Sequence, residues 1–536
     1  THYISDPYTY LKFAREMRWF YAAHYREPLF PFLTRGALHA LNDQDVAVSF
    51  VSAFFSVLVV VVTYAGLLRV LLVGGLGAAA AVTIEYHMIS EGVTGGRDDA
   101  FTFAVALCAY AMLRYGRVPS RWNAVLMGLS AGIACLVRIT SLSFLVPGLA
   151  YLFLATTRPW KERLRGMAVA VFVMTLVVGP YLVSCWYVFG DPLYSINYHT
   201  SNYLAAEGAS VASRPTAVAY VGAKAFTRPY RTLDTVAVGM TSYPFGNKWD
   251  GFDRWIPGLG EWLSYAALIG LVVFAGSGPG RLLLLVLAAS LVPYAATWQL
   301  AADWRFTQHA YPFFLVASAL AGVEAVRWVG TGRLVGVLTD RRPPWRVVAG
   351  WLGAFGVLAA GVWMMTRGLP ILTTRESLRF HEEVTITAGQ RDGAFFAEGW
   401  YPPVTTGSVT ARVSEGRVSI VEIPLPRVAD YSMTVRLDPF PRPFEGTAHM
   451  PTVRVFLNRS FLCDLPLRWN PERVGSYAIT LPRAAVKDGP DRLVLTLVPG
   501  PGTDSPDGRP PQPGLSDGAA FKLWYVRVRP PTSQAQ

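Results

Sequence analysis

Four carboxylates and five basic side chains sit at the edges of long apolar stretches: Asp6, Glu27, Asp98 and Asp99, with Arg26, Arg97, Arg138, Arg305 and His309. Arginines hold phosphate oxygens through paired, charge-assisted hydrogen bonds. A carboxylate beside them can take a proton from an attacking hydroxyl. Each residue alone also has a plainer reading. Asp6 directly precedes Pro7, as in a helix cap followed by proline. Arg26 and Glu27 before Pro28 fit a turn with a surface ion pair. Asp98 and Asp99 open an apolar run, where acidic residues complement a helix dipole. What favours chemistry is that they all fall on one membrane face, because charges at a membrane edge are functional by default.

The elements that must position them are apolar. Of 536 residues, 52% are hydrophobic and 16% charged, a balance that soluble chains of this length do not reach. Runs near bilayer length occur at 46–67, 71–89, 99–114, 123–139, 141–156, 167–189, 261–276, 281–299, 310–328 and 347–366, which predicts about ten spans. The pair meeting near Arg138 can also form one re-entrant hairpin. Fourteen Lys and Arg, from Arg69 to Arg346, occupy alternate short loops, whereas 90–98 and 300–309 hold one each, Arg97 and Arg305. The arginine-rich set is therefore cytoplasmic. Segment 1–45, loops 90–98 and 190–260 and the tail then lie outside. In the opening segment Tyr10, Phe13, Met17 and Phe20 share one helical face, which predicts a helix lying in the membrane interface, with a second after Pro28. The chain opens at Thr1 without Met or a signal-like segment, so a further transmembrane helix ending just before Thr1 is expected.

The formal charge of +12 is accounted for by cytoplasmic-loop arginines, and nucleic-acid binding is not expected. Cys108, Cys135 and Cys185 lie in apolar runs and Cys463 stands alone, which offers neither a disulfide framework nor a metal spacing. From about 376 the pattern alternates, as in RVSIVEIPL, TVRVFLNRSFLCDLPL and DRLVLTLVPG, with Pro, Gly and Asp between the runs. This predicts a β-sandwich with an inserted Pro/Gly-rich loop at 499–518. Trp400, Tyr401, Trp469, Trp524 and Tyr525 can stack on sugar or fill the sandwich core, the core being favoured. Asn458 opens an Asn-Arg-Ser sequon but fits a hairpin turn better.

The fold class expected is a polytopic α-helical membrane protein with a C-terminal all-β sandwich: a transmembrane domain 1–366 and an extracytoplasmic domain 367–536. Asp6 with Tyr10 four residues on, the Arg26-Glu27-Pro28-Leu29 turn, Arg97-Asp98-Asp99, and Arg305-Phe306 before Tyr311-Pro312 follow one another in an order that resembles the GT-C superfamily of membrane glycosyltransferases. The pattern is similar in particular to the bacterial protein mannosyltransferase-like and aminoarabinose-transferase-like family, over residues 1–366. The turn departs from the commoner His-Pro-Pro, and the first loop has Asp-Pro in place of Asp-Glu.

The resemblance implies transfer of a sugar from a polyprenyl-phosphate donor to an envelope lipid, glycan or protein, at the outer side of a bacterial cytoplasmic membrane. Asp6 is then the catalytic base or a metal-side carboxylate. Asp98, Asp99 and Glu27 serve the acceptor or a metal. Arg305, Arg97, Arg26, Arg138, Tyr10 and His309 bind the donor phosphate. A divalent metal is compatible with this, and no other cofactor is implied. In 190–260, Tyr194, Asn197, Tyr198, His199, Tyr203, Tyr230 and Trp249 either cover the acceptor or form an interfacial belt. The alternative is a non-enzymatic membrane protein that binds or exports envelope glycan. It requires polar residues along the middle of the spans, which the apolar runs nearly lack. A membrane metalloprotease needs a motif such as His-Glu-x-x-His, and none is present.

Overall fold

A computed structural model describes residues 6–64, 85–156, 158–206, 216–241, 250–296, 304–331, 352–353, 356–357, 359–389, 391–406, 409–426, 429–440, 452–467, 475–487, 490–498 and 520–530. The chain forms two compact units, Thr1–Phe226 with Thr235–Leu358, and Thr227–Asp234 with Ala359–Gln536. The first is helical and the second is mostly β-strand.

In the first unit, three helices among the described residues are long and apolar enough to cross a membrane: Val46–Tyr64, Trp160–Phe189 and Gly278–Ala295. The apolar helices Arg121–Val137, Ile139–Ala155 and Leu259–Ala275 are shorter. At about 1.5 Å per residue, a 17-residue helix reaches about 26 Å, short of a hydrocarbon core of about 30 Å. The expectation of about ten spans is therefore met on length and apolarity together at three of the described helices, and 71–84 and 347–351 lie outside the described residues. Loop arginines Arg69, Arg333, Arg341, Arg342 and Arg346 lie outside them too. On the 30-residue helix Trp160–Phe189, Phe172, Leu176, Val183, Trp186 and Tyr187 are exposed, the surface expected of a helix solvated by lipid.

Small residues set the helix crossings. A Cβ on Gly128 would lie 2.3 Å from the carbonyl oxygen of Ala170, and one on Gly270 would lie 1.9 Å from that of Ala317. Only glycine lets these backbones meet. The helices Asp98–Arg117 and Arg121–Val137 pack against each other and fill the centre of the unit. At Arg138, where a re-entrant hairpin is the alternative to two spans, two helices are separated by a break. Arg138 is extended (φ −150°, ψ 120°), and a 3-10 turn, Ile139–Ser141, leads into Leu142–Ala155.

In the second unit, helix Leu369–Arg379 precedes the strands β1 (Val384–Thr387), β2 (Phe396–Glu398), β3 (Val404–Thr406), β4 (Val409–Val413), β5 (Val418–Ile423), β6 (Tyr431–Phe440), β7 (Thr452–Leu457), β8 (Ser460–Pro466), β9 (Gly475–Leu481), β10 (Asp491–Val498) and β11 (Ala520–Arg529). One antiparallel sheet runs β3-β4-β11-β6-β9, with β1 also on β11, and the other runs β2-β5-β10-β7-β8. Alternate residues of β7 and β10 are buried, and Val455 and Leu495 share one core with Val435 and Val526 of the other sheet. Period-2 alternation produced this sandwich.

Trp400 is in the core, with its indole donating to the Ile420 carbonyl at 2.9 Å and Phe396 and Phe521 edge-on to its ring. The Trp524 indole donates to Asp438 at 2.8 Å. Trp469 and the 499–518 loop lie outside the described residues. Asn458 occupies the β7–β8 turn at φ 58°. Its amide donates to the Ala485 carbonyl and to Asp491, so it is a turn residue held inward.

Candidate active site

Residues far apart in sequence converge at one end of the helical unit. Asp6 opens helix Asp6–Glu16, and the turn at 24–27 leads into Leu29–Ala40. That turn is pinned from behind: the Tyr181 hydroxyl donates to the His24 carbonyl at 3.1 Å, and Ser195 Oγ donates to that of Tyr25 at 3.2 Å. Arg97, Asp98 and Asp99 begin helix Asp98–Arg117. The break after Val137 presents Arg138, and the 3-10 turns Trp304–Phe306 and Gln308–Ala310 carry Arg305 and His309.

Charges alternate along this surface. Arg26 donates to one Asp6 oxygen, and Arg305 donates to the other at 3.1 Å. Arg305 also reaches Asp98 at 3.4 Å, whose second oxygen accepts from Arg138. Beside this ladder, Arg97 donates to Glu27, which also accepts the Ile139 backbone N–H at 2.9 Å. The expected surface ion pair between Arg26 and Glu27 is thus corrected: the two neighbours take different partners, and Glu27 is 3% exposed. With that adjoining pair the ladder holds four guanidiniums against three carboxylates and carries a net positive charge.

Burial alone would raise the Asp6 carboxyl, but the guanidiniums of Arg26, Arg97 and Arg305 outweigh it and hold the group below the ordinary carboxylate range. Burial likewise opposes ionisation of Glu27, and Arg97 with the Ile139 N–H overcomes it, lowering the group to about 2. Tyr10 lies beneath the ladder with Arg26 and Arg97 over its ring, at 5.4 and 5.8 Å to the centroid. It is fully buried and supports guanidiniums rather than facing a ligand.

A cavity of about 230 Å³ opens on these groups, lined by Asp6, Arg26, Glu27, Arg97 and Arg138 together with Thr140, Tyr294 and His199. Three arginines, Arg26, Arg97 and Arg138, line it together, an arrangement suited to an anion. Asp98 and Arg305 belong to the ladder without lining the cavity, and two predicted residues stand apart from both. Asp99 is fully buried and accepts from Gln308 at 2.7 Å and Ser56 at 2.8 Å, so it ties Asp98–Arg117 to its neighbours. His309 packs on Phe101 and Tyr294 behind the cavity.

Of the aromatic loop residues, Tyr198 stacks on Tyr25, Tyr194 stacks on Phe189, and Asn197 bonds Asp191 and the Ala217 N–H. His199 lines the cavity with a buried, unpartnered Nε2. Burial, reinforced by Arg26 and Arg97, lowers it to about 3 and keeps it neutral at neutral pH. Tyr230 belongs to the second unit, and Trp249 and the Tyr203 side chain lie outside what is described.

Thr140 and Tyr294 were not singled out from the sequence, although Tyr294 OH accepts from Arg138 at 3.1 Å and lies 3.0 Å from Thr140 Oγ1. A neutral hydroxyl in an apolar run has no distinguishing pattern. For a divalent metal the donor set does not fit. Among the described residues no three His, Cys, Asp or Glu side chains gather, and Asp6, Glu27 and Asp98 each face a guanidinium.

Residues 26–183 match the family model described as dolichyl-phosphate-mannose-protein mannosyltransferase. The resemblance to GT-C glycosyltransferases carried by Arg26-Glu27-Pro28-Leu29 and Arg97-Asp98-Asp99 therefore has a counterpart in a family model over the segment holding those residues. None of the curated proteins compared matches the chain. Among solved structures, the oligosaccharyltransferase AglB from Archaeoglobus fulgidus, in complex with an inhibitory peptide and a dolichol-phosphate, is 14% identical, with 69% of this chain and 52% of that chain covered and a TM-score of 0.39. The chain thus spans about half the length of that protein. ArnT from Cupriavidus metallidurans bound to undecaprenyl phosphate is 14% identical, with 68% of each chain covered and a TM-score of 0.39. The arabinosyltransferase EmbB from Mycobacterium smegmatis is 11% identical, with 98% of this chain and 62% of that chain covered and a TM-score of 0.23.

Proposed function

We propose that the chain is a GT-C type glycosyltransferase that moves a sugar from a polyprenyl-phosphate donor to an envelope acceptor, on the outer side of a bacterial cytoplasmic membrane that it crosses several times. One observation carries the reading: the Asp6 carboxylate is bracketed by Arg26 and Arg305, and the cavity it lines is lined also by the guanidinium residues Arg26, Arg97 and Arg138. The family match over 26–183 supports it.

In the reaction, the donor phosphate takes the arginines. Asp6 thereby loses the partners that hold its proton affinity down and becomes a stronger base. It accepts the proton of the acceptor hydroxyl as that oxygen bonds to the anomeric carbon. The bond from that carbon to the phosphate oxygen breaks, and its electron pair leaves with the phosphate. Arg305, Arg26 and Arg138 stabilise the charge that develops there. Asp98 holds Arg138 and Arg305 in place, and Glu27 fixes Arg97.

Transfer of labelled sugar from prenyl-phosphate donors by the purified chain in nanodiscs tests this, and absence of transfer from every such donor refutes it. The topology has its own test: cysteines introduced after residue 367 should label in intact cells, on the same side as Asp6. Labelling only after lysis would refute the outward placement.

A further inference from the structure

Helix Arg121–Val137 carries Arg138 at its C-terminal end. Its other end, about 25 Å away at 1.5 Å per residue, borders a second cavity of about 250 Å³ lined by Ser120, Arg121, Thr156, Arg158, Glu162, Arg163 and Arg165. Four guanidiniums face one carboxylate, and Glu162 is bound by Arg158 at 3.2 Å, so the cavity keeps a charge of about +3. Two helices, Arg121–Val137 and Trp160–Phe189, begin at this cavity and add the positive ends of their dipoles. Arg163 is seated by a 2.8 Å bond from Nη1 to the Phe153 carbonyl, with its guanidinium over the Phe153 ring. Its Nε is buried and has no partner. Gly166 lets the Tyr115 ring form part of the cavity wall, since a Cβ there would lie 1.9 Å from the Tyr115 hydroxyl.

The surroundings favour an amphipathic ligand. Trp122 is 82% exposed and Trp160 and Leu164 are exposed; they flank Arg121 and Arg163 as an interfacial belt flanks headgroups. We propose that this cavity binds the phosphate headgroup of an anionic phospholipid, in the leaflet opposite the Asp6 site. Basic pockets between helices on the arginine-rich side of membrane proteins take such headgroups. The cavity is separate from the ladder and shares no residue with it.

The test is lipid retention by the purified full chain in nanodiscs of phosphatidylcholine doped with phosphatidylglycerol, read by native mass spectrometry. Wild type should retain phosphatidylglycerol in preference to phosphatidylcholine. Arg163→Gln should reduce that preference about five-fold, and the R121Q/R163Q/R165Q triple about 100-fold, from roughly one five-fold factor per surface arginine. Arg18→Gln, exposed and on neither cavity, should leave it unchanged. Millimolar inorganic phosphate should not displace the lipid. Equal retention by wild type and both variants overturns the proposal, and displacement by free phosphate overturns the lipid as the ligand. If the triple variant does not fold, Arg163→Gln alone decides.

Discussion

Asp6→Asn and Glu27→Gln remove one charge each from adjoining parts of the same cluster, and the structure separates their consequences. Asp6 is about 30% exposed at its side chain and is bound by Arg26 and Arg305. Its loss costs about 1–2 kcal/mol, between the value for an exposed pair and that for a buried one, since the asparagine oxygen still accepts one guanidinium. Glu27 is 3% exposed and holds both Arg97 and the Ile139 N–H. Removing its charge leaves Arg97 buried without its carboxylate, at a cost of about 3–5 kcal/mol. Activity should move the other way. Asp6→Asn loses the base outright, on the order of 100- to 10,000-fold in rate, whereas correctly folded Glu27→Gln retains transfer. The assay pairs labelled-sugar transfer with thermal unfolding in one detergent. Near-full transfer by Asp6→Asn refutes the base assignment. Wild-type melting of Glu27→Gln with lost transfer refutes the structural reading of Glu27.

Arg305→Gln should raise KM for the prenyl-phosphate donor by about ten-fold or more, because a charge-assisted pair worth about 1.5–3 kcal/mol is lost, and an unchanged KM would remove Arg305 from the phosphate site. Burial, with Arg26 and Lys12, lowers His24 from 6.5 to about 4. Between those values the unfolded chain takes up a proton that the folded chain refuses, so stability falls as pH drops through that window, and melts from pH 7 to 4 should show this with a smaller slope in His24→Phe. Gly270→Ala forces its Cβ into the Ala317 carbonyl and should destabilise by about 1–3 kcal/mol, read as a lowered melting temperature. A fragment 359–536 should fold by circular dichroism, whereas one beginning at 376 loses Ile371, which packs on the sandwich core, and should melt lower.

The location of the charged residues was more legible in sequence than their pairing. Asp6, Glu27, Asp98, Arg97, Arg138 and Arg305 were grouped because charges survive at the ends of apolar segments only with partners or a task, and those ends cluster. Which carboxylate meets which guanidinium depends on the direction of side chains at a turn. Arg26 and Glu27 are adjacent and point to different partners. The sandwich was readable because strand alternation has a period of two. Helix length was less so: Arg138 ends Arg121–Val137 where apolar residues continue into 141–156, since a backbone break at one residue leaves hydropathy almost unchanged.

The ladder also sets an order of assembly during synthesis. Asp98 and Arg138 are 40 residues apart, and Arg97 and Glu27 are 70 apart, so both pairs can close while the chain is still short. Arg305 lies 299 residues after Asp6 and 207 after Asp98, and is the last to arrive. Until it emerges, Asp6 has only Arg26 and Asp98 only Arg138. A ribosome-bound chain stopped before residue 304 should therefore hold a half-site of three guanidiniums and three carboxylates, without the net positive charge that attracts a prenyl phosphate. The excess positive charge that engages the donor thus arrives only with Arg305, the last ladder residue, which delays donor binding until the chain has inserted.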